Sequence, residues 1–410
     1  MMTEHSSQAA PYGSSNTFAV LTVTTLTLMA TTWGTLLYTT AATVVMADFG
    51  FEATAIGYQV SLAYLSATVC SLYAGDITLV LGARMSLIFA MLLAGFGSLG
   101  TTVYGLYGMF SGAILIGAAH GLTNPASALL LQGLSTSGKR SFLFSIKQTG
   151  VPVGGLVTAV VTPAMTQNFH WHYAGYALSG ACFSIAFLTW CISRKWGKIG
   201  NVRNRLSLNP FNSISVVLKS SGLLALALMA MCYACVQICI MTFMSPYLVE
   251  ELGFTLIVAG TLVATAQIGG GIGRPFWGWL SDYAGKNVLV LRILGLVTSL
   301  GCLSLLVVSP SSPWILLIVL FFILGSTAIG WNGLFVAEIV NLADRGSAAQ
   351  ATAGVAAITF TSVMIGPSAF ALIKKLSGEY SLTFAIFSIV GLIGVVLTFW
   401  LASSKTQIER

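Results

Sequence analysis

Four ionisable side chains stand inside long apolar runs: His120, Lys147, Arg274 and Glu338. A titratable group at membrane depth is costly, so each is a functional candidate by default. Arg274 lies in GGGIGRPFWGWLSD, one to two helical turns from the end of its run. At 1.5 Å per residue that is roughly 6–10 Å of depth. Gln267, Gly271 and Arg274 share a helix face at i, i+4, i+7. Arg274 either snorkels to the headgroups or offers a cation to a ligand. Lys147 lies in SFLFSIKQTGVPVGG, about 10 Å inside from Arg140 by the same rise. Neither run contains an acid that neutralises its cation. Two buried cations repel unless an anion sits between them; the alternative for Lys147 is a pair with Glu338 or helix-end carbonyls.

His120 has Asn124 one turn on. It is either a hydrogen-bonded packing residue or a group that titrates near physiological pH and carries a proton. Glu338 lies near the end of its run, just before Asp344 and Arg345. It is either the second proton carrier or a structural partner of Lys286 or Arg345. His170 and His172, in H-W-H, make only a weak metal motif, and no metal or other cofactor is expected. Thr24, Thr27, Thr31, Thr35 and Thr39 recur at three to four residues. Such a hydroxyl stripe lines an aqueous cavity, or bonds its own i−4 carbonyls in packed helices.

Stepping out from these residues, the 410-residue chain is 56% hydrophobic and 7% charged, with 43 Gly and 10 Pro. Its mean hydropathy is +0.89. No water-soluble fold hides that much apolar surface with so few charges. A soluble enzyme, a nucleic-acid binder and a disordered scaffold are excluded. The net charge of +7 sits in short basic clusters between apolar runs, the pattern of a polytopic helical membrane protein. The runs are continuous and do not alternate, which disfavours a β-barrel. A crossing helix needs about 20 apolar residues, and twelve stretches qualify: 18–46, 54–74, 85–104, 108–131, 141–165, 173–192, 220–249, 255–278, 288–308, 313–338, 348–371 and 381–402. The long connection 193–219 divides them six and six. The expected units are a tail 1–17, a bundle 18–192, a basic linker 193–219, a bundle 220–402 and a tail 403–410. The tail 1–17 lacks a basic n-region and does not read as a signal peptide.

Lys and Arg set the orientation. Arg84, Lys139, Arg140, Arg194, Lys195, Lys198, Arg203, Arg205, Lys219, Lys286, Arg345, Lys405 and Arg410 fall on the side of the termini; Lys374 and Lys375 fall on the other, with Asp48, Glu52, Glu250, Glu251 and Glu379. Both termini are therefore expected in the cytoplasm, with the chain in the inner membrane. Cys232, Cys235 and Cys239 share one helix face, which reads as close packing of small residues and not as a redox pair.

The chain also repeats itself. Gly75 and Gly278 match 203 positions apart, Gly117 and Asn124 match Gly325 and Asn332 208 apart, and Gly150-Val151-Pro152 resembles Gly366-Pro367. Three weak matches in order make a six-helix repeat. GWLSDYAGK (278–286), after the eighth span, resembles the loop signature G-x-L-x-D-R-x-G-R of the major facilitator superfamily. The first-half copy, GDITLVLGAR (75–84), departs from it, with Leu79 in place of Asp and Val80 in place of Arg. GVPVGG (150–155) resembles the Gly-Pro signature of several branches of that family.

The resemblance implies an all-α membrane protein: twelve helices in two pseudo-symmetric six-helix bundles around a central site, rocking between two open states. It implies a latch at Gly278, Asp282, Gly285 and Lys286, without the usual first-half counterpart. It makes helices 5 and 8 neighbours, so Lys147 and Arg274 can face one substrate. Gln267, Tyr64, Gln237, Asn124, Trp331 and Asn332 are further lining candidates. Arg274-Pro275-Phe276-Trp277-Gly278 is similar to the helix-8 motif of proton-linked monocarboxylate transporters, although Gly270 stands where those have an Asp. The expectation is a monomeric secondary transporter of a small organic anion, a carboxylate, coupled to protons through His120 or Glu338. Efflux of drugs or siderophores by proton antiport is the alternative within transport, and a non-transporting receptor the alternative outside it. No P-loop, G-x-S-x-G or H-E-x-x-H motif points to an enzyme.

Overall fold

The computed structural model describes residues 14–132, 146–195, 211–343 and 348–408. Twelve helices are long and apolar enough to cross a membrane: α1 (Thr17–Ala47), α2 (Ala53–Ala74), α3 (Ala83–Val103), α4 (Gly105–Ser127), α5 (Ile146–Asn168), α6 (His172–Ile192), α7 (Ser221–Glu251), α8 (Leu256–Ser281), α9 (Asn287–Ser304), α10 (Trp314–Ile339), α11 (Gly354–Ser377) and α12 (Tyr380–Ser404). Lipid offers the backbone no hydrogen-bond partners, so each span satisfies itself as a helix. An even number of crossings puts both ends of the described chain on one side, the terminal side. The loop residues Lys139, Arg140, Lys198, Arg203, Arg205 and Arg345, the tail 1–13 and Arg410 lie outside the described residues.

In one bundle α4 packs on α2 and α3, α3 on α6, and α5 on α1; in the other α10 packs on α8, α12 on α9 and α7, and α11 on α7. The glycines show why the two halves match. A Cβ on Gly117 of α4 would strike the Ala63 carbonyl of α2; on Gly325 of α10 it would strike the Ala266 carbonyl of α8. The same close backbone approach recurs in each half, and only a residue without a side chain allows it. Gly325→Val and Gly117→Val should each cost about 1–3 kcal/mol or more. That should show as a lower thermal midpoint and reduced yield of folded protein. Gly180→Ala, which meets nothing within 4 Å, should leave both unchanged.

The segments expected as loops after spans 2 and 8 are largely helical. The helix of α2 continues to Leu81, and the next begins at Ala83, with only Gly82 (φ 80°) between them. The helix of α8 continues to Ala284, with the turn at Gly285 (φ 61°). The latch motif is thus the last turns of a helix plus a left-handed glycine, a conformation that only glycine adopts without strain. The Thr stripe of α1 also resolves: Thr24, Thr27, Thr31, Thr35 and Thr39 are all buried. Each donates to a carbonyl three or four residues back, as in Thr27 Oγ1 to Val23 O at 2.7 Å. They satisfy themselves in a packed helix and do not form an open polar wall.

Between the bundles, α5 runs against α8 and α2 against α11. At the end away from the termini the bundles are tied by hydrogen bonds. Ser245 Oγ donates to Thr40 O (2.7 Å), and Ser368 donates from N and Oγ to Ser61 Oγ (3.2 and 2.8 Å). Lys374 pairs with Glu52 at 3.6 Å.

Candidate functional site

Interrupted helices expose the carbonyls around which the site is built. Pro152 lacks the N–H that would bond Gln148 O four residues back, and the helix turns at Thr149. In α10 the helix stops at Ala328 and restarts at Asn332, leaving Ile329–Trp331 as a turn. Both breaks point carbonyls at Arg274 of α8. Its Nη1 donates to Gln148 O at 2.7 Å and its Nε to Ile329 O at 3.2 Å. One guanidinium thereby spans from its own bundle to the other.

Lys147 sits one residue before Gln148 and is 2% exposed. Its Nζ donates to Asn124 Oδ1 at 2.5 Å. Pro125, the residue after Asn124, withholds an N–H from Gly121 O, which takes Ser71 Oγ of α2 instead (3.4 Å). One turn before Asn124, His120 Nδ1 lies 3.2 Å from Thr31 Oγ1 of α1, and its ring meets Tyr64 of α2 edge-on at 5.9 Å. The fold thus gathers Lys147 and Asn124, with His120 and Tyr64 one turn away, and Arg274 reaches the same stretch of α5 at the carbonyl of Gln148, the residue after Lys147. Among the described residues neither Lys147 nor Arg274 has a carboxylate within 4 Å; the ion pairs found are His170–Asp48 and Lys374–Glu52.

Gln267, two turns before Arg274, is 3% exposed and lies against Gly155 of α5. Its Oε1, and Trp33 Nε1 of α1, are buried without a hydrogen-bond partner among the described residues. Gln237 of α7 binds the turn of α10: its Oε1 accepts from Trp331 Nε1 (2.9 Å) and Asn332 Nδ2 (3.3 Å). Asn332 Nδ2 also donates to Ile329 O (3.2 Å), the carbonyl that holds Arg274. These amides therefore brace the guanidinium from behind.

Glu338 belongs to a different cluster, on the terminal side. It is fully buried, and its Oε2 accepts from Asn287 Nδ2 (3.3 Å) and Asn341 Nδ2 (3.4 Å). Asn287 Oδ1 in turn accepts from Ser281 Oγ. This cluster joins α8, α9 and α10 around the expected latch. Within it Gly278 lies in open space, Gly285 makes the turn and Lys286 is exposed; the Asp282 side chain lies outside the described residues. Sequence reasoning missed the carbonyls of Gln148 and Ile329, and it placed Thr31 only within the hydroxyl stripe and not against His120. The Gln148–Pro152 spacing was the legible signal for the first of these carbonyls, since a proline frees the carbonyl four residues earlier; Ile329 has Gly333 at that spacing and no such signal.

The model of the Major Facilitator Superfamily matches residues 22–353 and 226–409 of this chain. A hexuronate transporter of Bacillus subtilis (strain 168) is 21% identical over 371 residues, spanning 84% of this chain and 85% of that protein. An uncharacterised MFS-type transporter of Mycobacterium tuberculosis (strain ATCC 25618 / H37Rv) is 24% identical over 179 residues, 43% of this chain and 39% of its own. Among solved structures, a POT family transporter in complex with 5-aminolevulinic acid superposes with a TM-score of 0.79. It is 14% identical, over 97% of both chains. A peptide transporter POT in complex with sulfate reaches 0.76 at 15% identity, over 96% of this chain and 94% of that one.

Proposed function

Because this chain belongs to the major facilitator superfamily and is a membrane transporter and not an enzyme, we propose that it carries a small organic anion, a carboxylate, through the site between Lys147 and Arg274. One observation carries this: two cations within the crossing helices α5 and α8, which pack on each other, have no carboxylate within 4 Å among the described residues. A desolvated, unneutralised pair of charges is a strong attractor for an anion. The hexuronate named for the Bacillus subtilis relative is itself a sugar carboxylate, which supports the same class. The discontinuity of α10 at the site fits the way such transporters place ligands at broken helices near the midplane. The protein works as a monomer in the inner membrane, and the Lys and Arg distribution supports both termini in the cytoplasm. Alternating access then requires breaking the Ser245–Thr40, Ser368–Ser61 and Lys374–Glu52 contacts on the far side.

Uptake is coupled to protons through His120, which stands one turn from the amide that holds Lys147. Glu338 is the second candidate carrier. In proteoliposomes an imposed inward proton gradient should accelerate uptake of glucuronate, a representative hexuronate. His120→Gln should remove that acceleration and leave exchange of internal for external glucuronate intact. An acceleration that survives both His120→Gln and Glu338→Gln assigns the coupling elsewhere.

A further inference from the structure

The H-W-H segment between α5 and α6 takes no part in the transport site, and the fold gives it what its spacing alone did not. His170 Nδ1 and His172 Nδ1 face each other at 2.5 Å. Their ring centroids lie 4.5 Å apart with planes inclined by 24°. The centroid separation exceeds the N–N distance by nearly two ring radii, so the rings meet edge to edge, nitrogen toward nitrogen. On the other side of His170, Nε2 lies 3.6 Å from Asp48 Oδ2, at the end of α1. That carboxylate is itself held: Trp171 Nε1 donates to Asp48 Oδ2 at 2.5 Å. Trp171 is 1% exposed, wedged edge-on against Tyr38 and Phe49.

We propose that His170 and His172 form a site for a divalent transition-metal ion of the zinc, nickel and copper class, on the face of the protein opposite the termini. Imidazole nitrogen suits these ions. A ligating histidine ordinarily gives its other ring N–H to a carboxylate, which fixes the tautomer and raises ligand basicity. Asp48 lies on that side of His170, 3.6 Å from Nε2, and a small turn of the ring toward it on metal binding closes the hydrogen bond that keeps the proton on Nε2 and leaves Nδ1 to the ion. The ion takes the place of the proton between the two Nδ1 atoms, and His172 then carries its N–H on Nε2, toward solvent, so both rings bind as neutral imidazoles. With Zn–N bonds of about 2.0–2.1 Å the nitrogens must part by less than ~1 Å, a small rotation for side chains at an open surface. Among the described residues no third His, Cys, Asp or Glu completes the set. Water fills the remaining positions, so the site binds reversibly. Because Asp48 ends α1 while the histidines join α5 to α6, a bound ion braces these three helix ends together.

The test uses full-length protein purified without a polyhistidine tag and titrated with Zn2+ by calorimetry in detergent. One Zn2+ per chain is expected for the wild type. His170→Ala and His172→Ala should each abolish that binding, and Asp48→Asn should weaken it about 10- to 100-fold. A second readout is quenching of tryptophan fluorescence by Ni2+, since Trp171 stacks on His172 at 3.7 Å. The quenching should disappear in His172→Ala, whose thermal midpoint should match the wild type in the absence of metal. No saturable Zn2+ binding by the wild type, or binding that survives both histidine substitutions, overturns the site.

Discussion

Arg274→Gln should raise the KM for the transported anion by more than tenfold, and Arg274→Lys should recover only part of that loss. The guanidinium holds two carbonyls that helix breaks have freed, Gln148 O and Ile329 O. It keeps N–H groups to spare for a ligand, because its planar fork carries five. A lysine is a point charge on a flexible stem and cannot span the same two carbonyls while presenting a second edge to a carboxylate. Truncating one member of a buried charge pair costs about 2–5 kcal/mol, which sets the size of the expected loss. Glutamine also leaves at least one carbonyl unpaired, at about 1–3 kcal/mol, so the empty protein should melt at a lower temperature. Concentration dependence of uptake in proteoliposomes, alongside the melting midpoint, separates the two effects. Unchanged kinetics in Arg274→Gln would reduce Arg274 to a clasp between the bundles.

Lys147→Met should abolish anion uptake without lowering the melting temperature of the empty protein. Lys147 is 2% exposed and held only by the neutral amide of Asn124 among the described residues. Replacing an uncompensated buried charge by an apolar chain of similar volume is often neutral or stabilising. A lysine serving structure behaves oppositely: its removal destabilises the fold. The combination of lost transport and retained or raised stability therefore identifies a group whose attraction is reserved for the ligand. The double variant Lys147→Met with Arg274→Gln should lose less than the two single losses added together, since both cations serve one anion.

Much of this architecture was legible in the chain because lipid imposes it. Twelve apolar runs of crossing length leave few alternatives to twelve helices, and the Gly117–Gly325 match marked an interface that the two halves build in the same way. The hydroxyl stripe of α1 was ambiguous, because periodicity does not tell a threonine that faces water from one that bonds its own turn. Burial decides that, and Thr27 and Thr35 are fully buried. The second span ends at Ala74 as drawn, but the helices of spans 2 and 8 run on to Leu81 and Ala284 where loops were expected, because polar residues such as Ser281 extend a helix past its hydrophobic portion. The four ionisable residues were visible as exceptions to the apolar pattern, but their partners were not. Arg274 reaches Gln148 across 126 positions and Ile329 across 55, and both partners are carbonyls that no side-chain pattern advertises. Glu338, near the end of its run, stood beside His120 as a proton carrier or as a structural partner of Lys286 or Arg345, and it is instead held by the amides of Asn287 and Asn341.

The most direct measurement compares binding of glucuronate and glucose to the purified protein by thermal shift, in the wild type and in Lys147→Met. The two sugars differ in one group, a carboxylate against a hydroxymethyl. A ligand that binds only the folded state raises the midpoint by mass action, by about 2.7 kcal/mol of stability at 100 times its Kd. Glucuronate should raise the wild-type midpoint in proportion to the logarithm of its concentration, glucose should not, and Lys147→Met should respond to neither. Equal shifts by both sugars, or a glucuronate shift that persists in Lys147→Met, would contradict an anion site between Lys147 and Arg274.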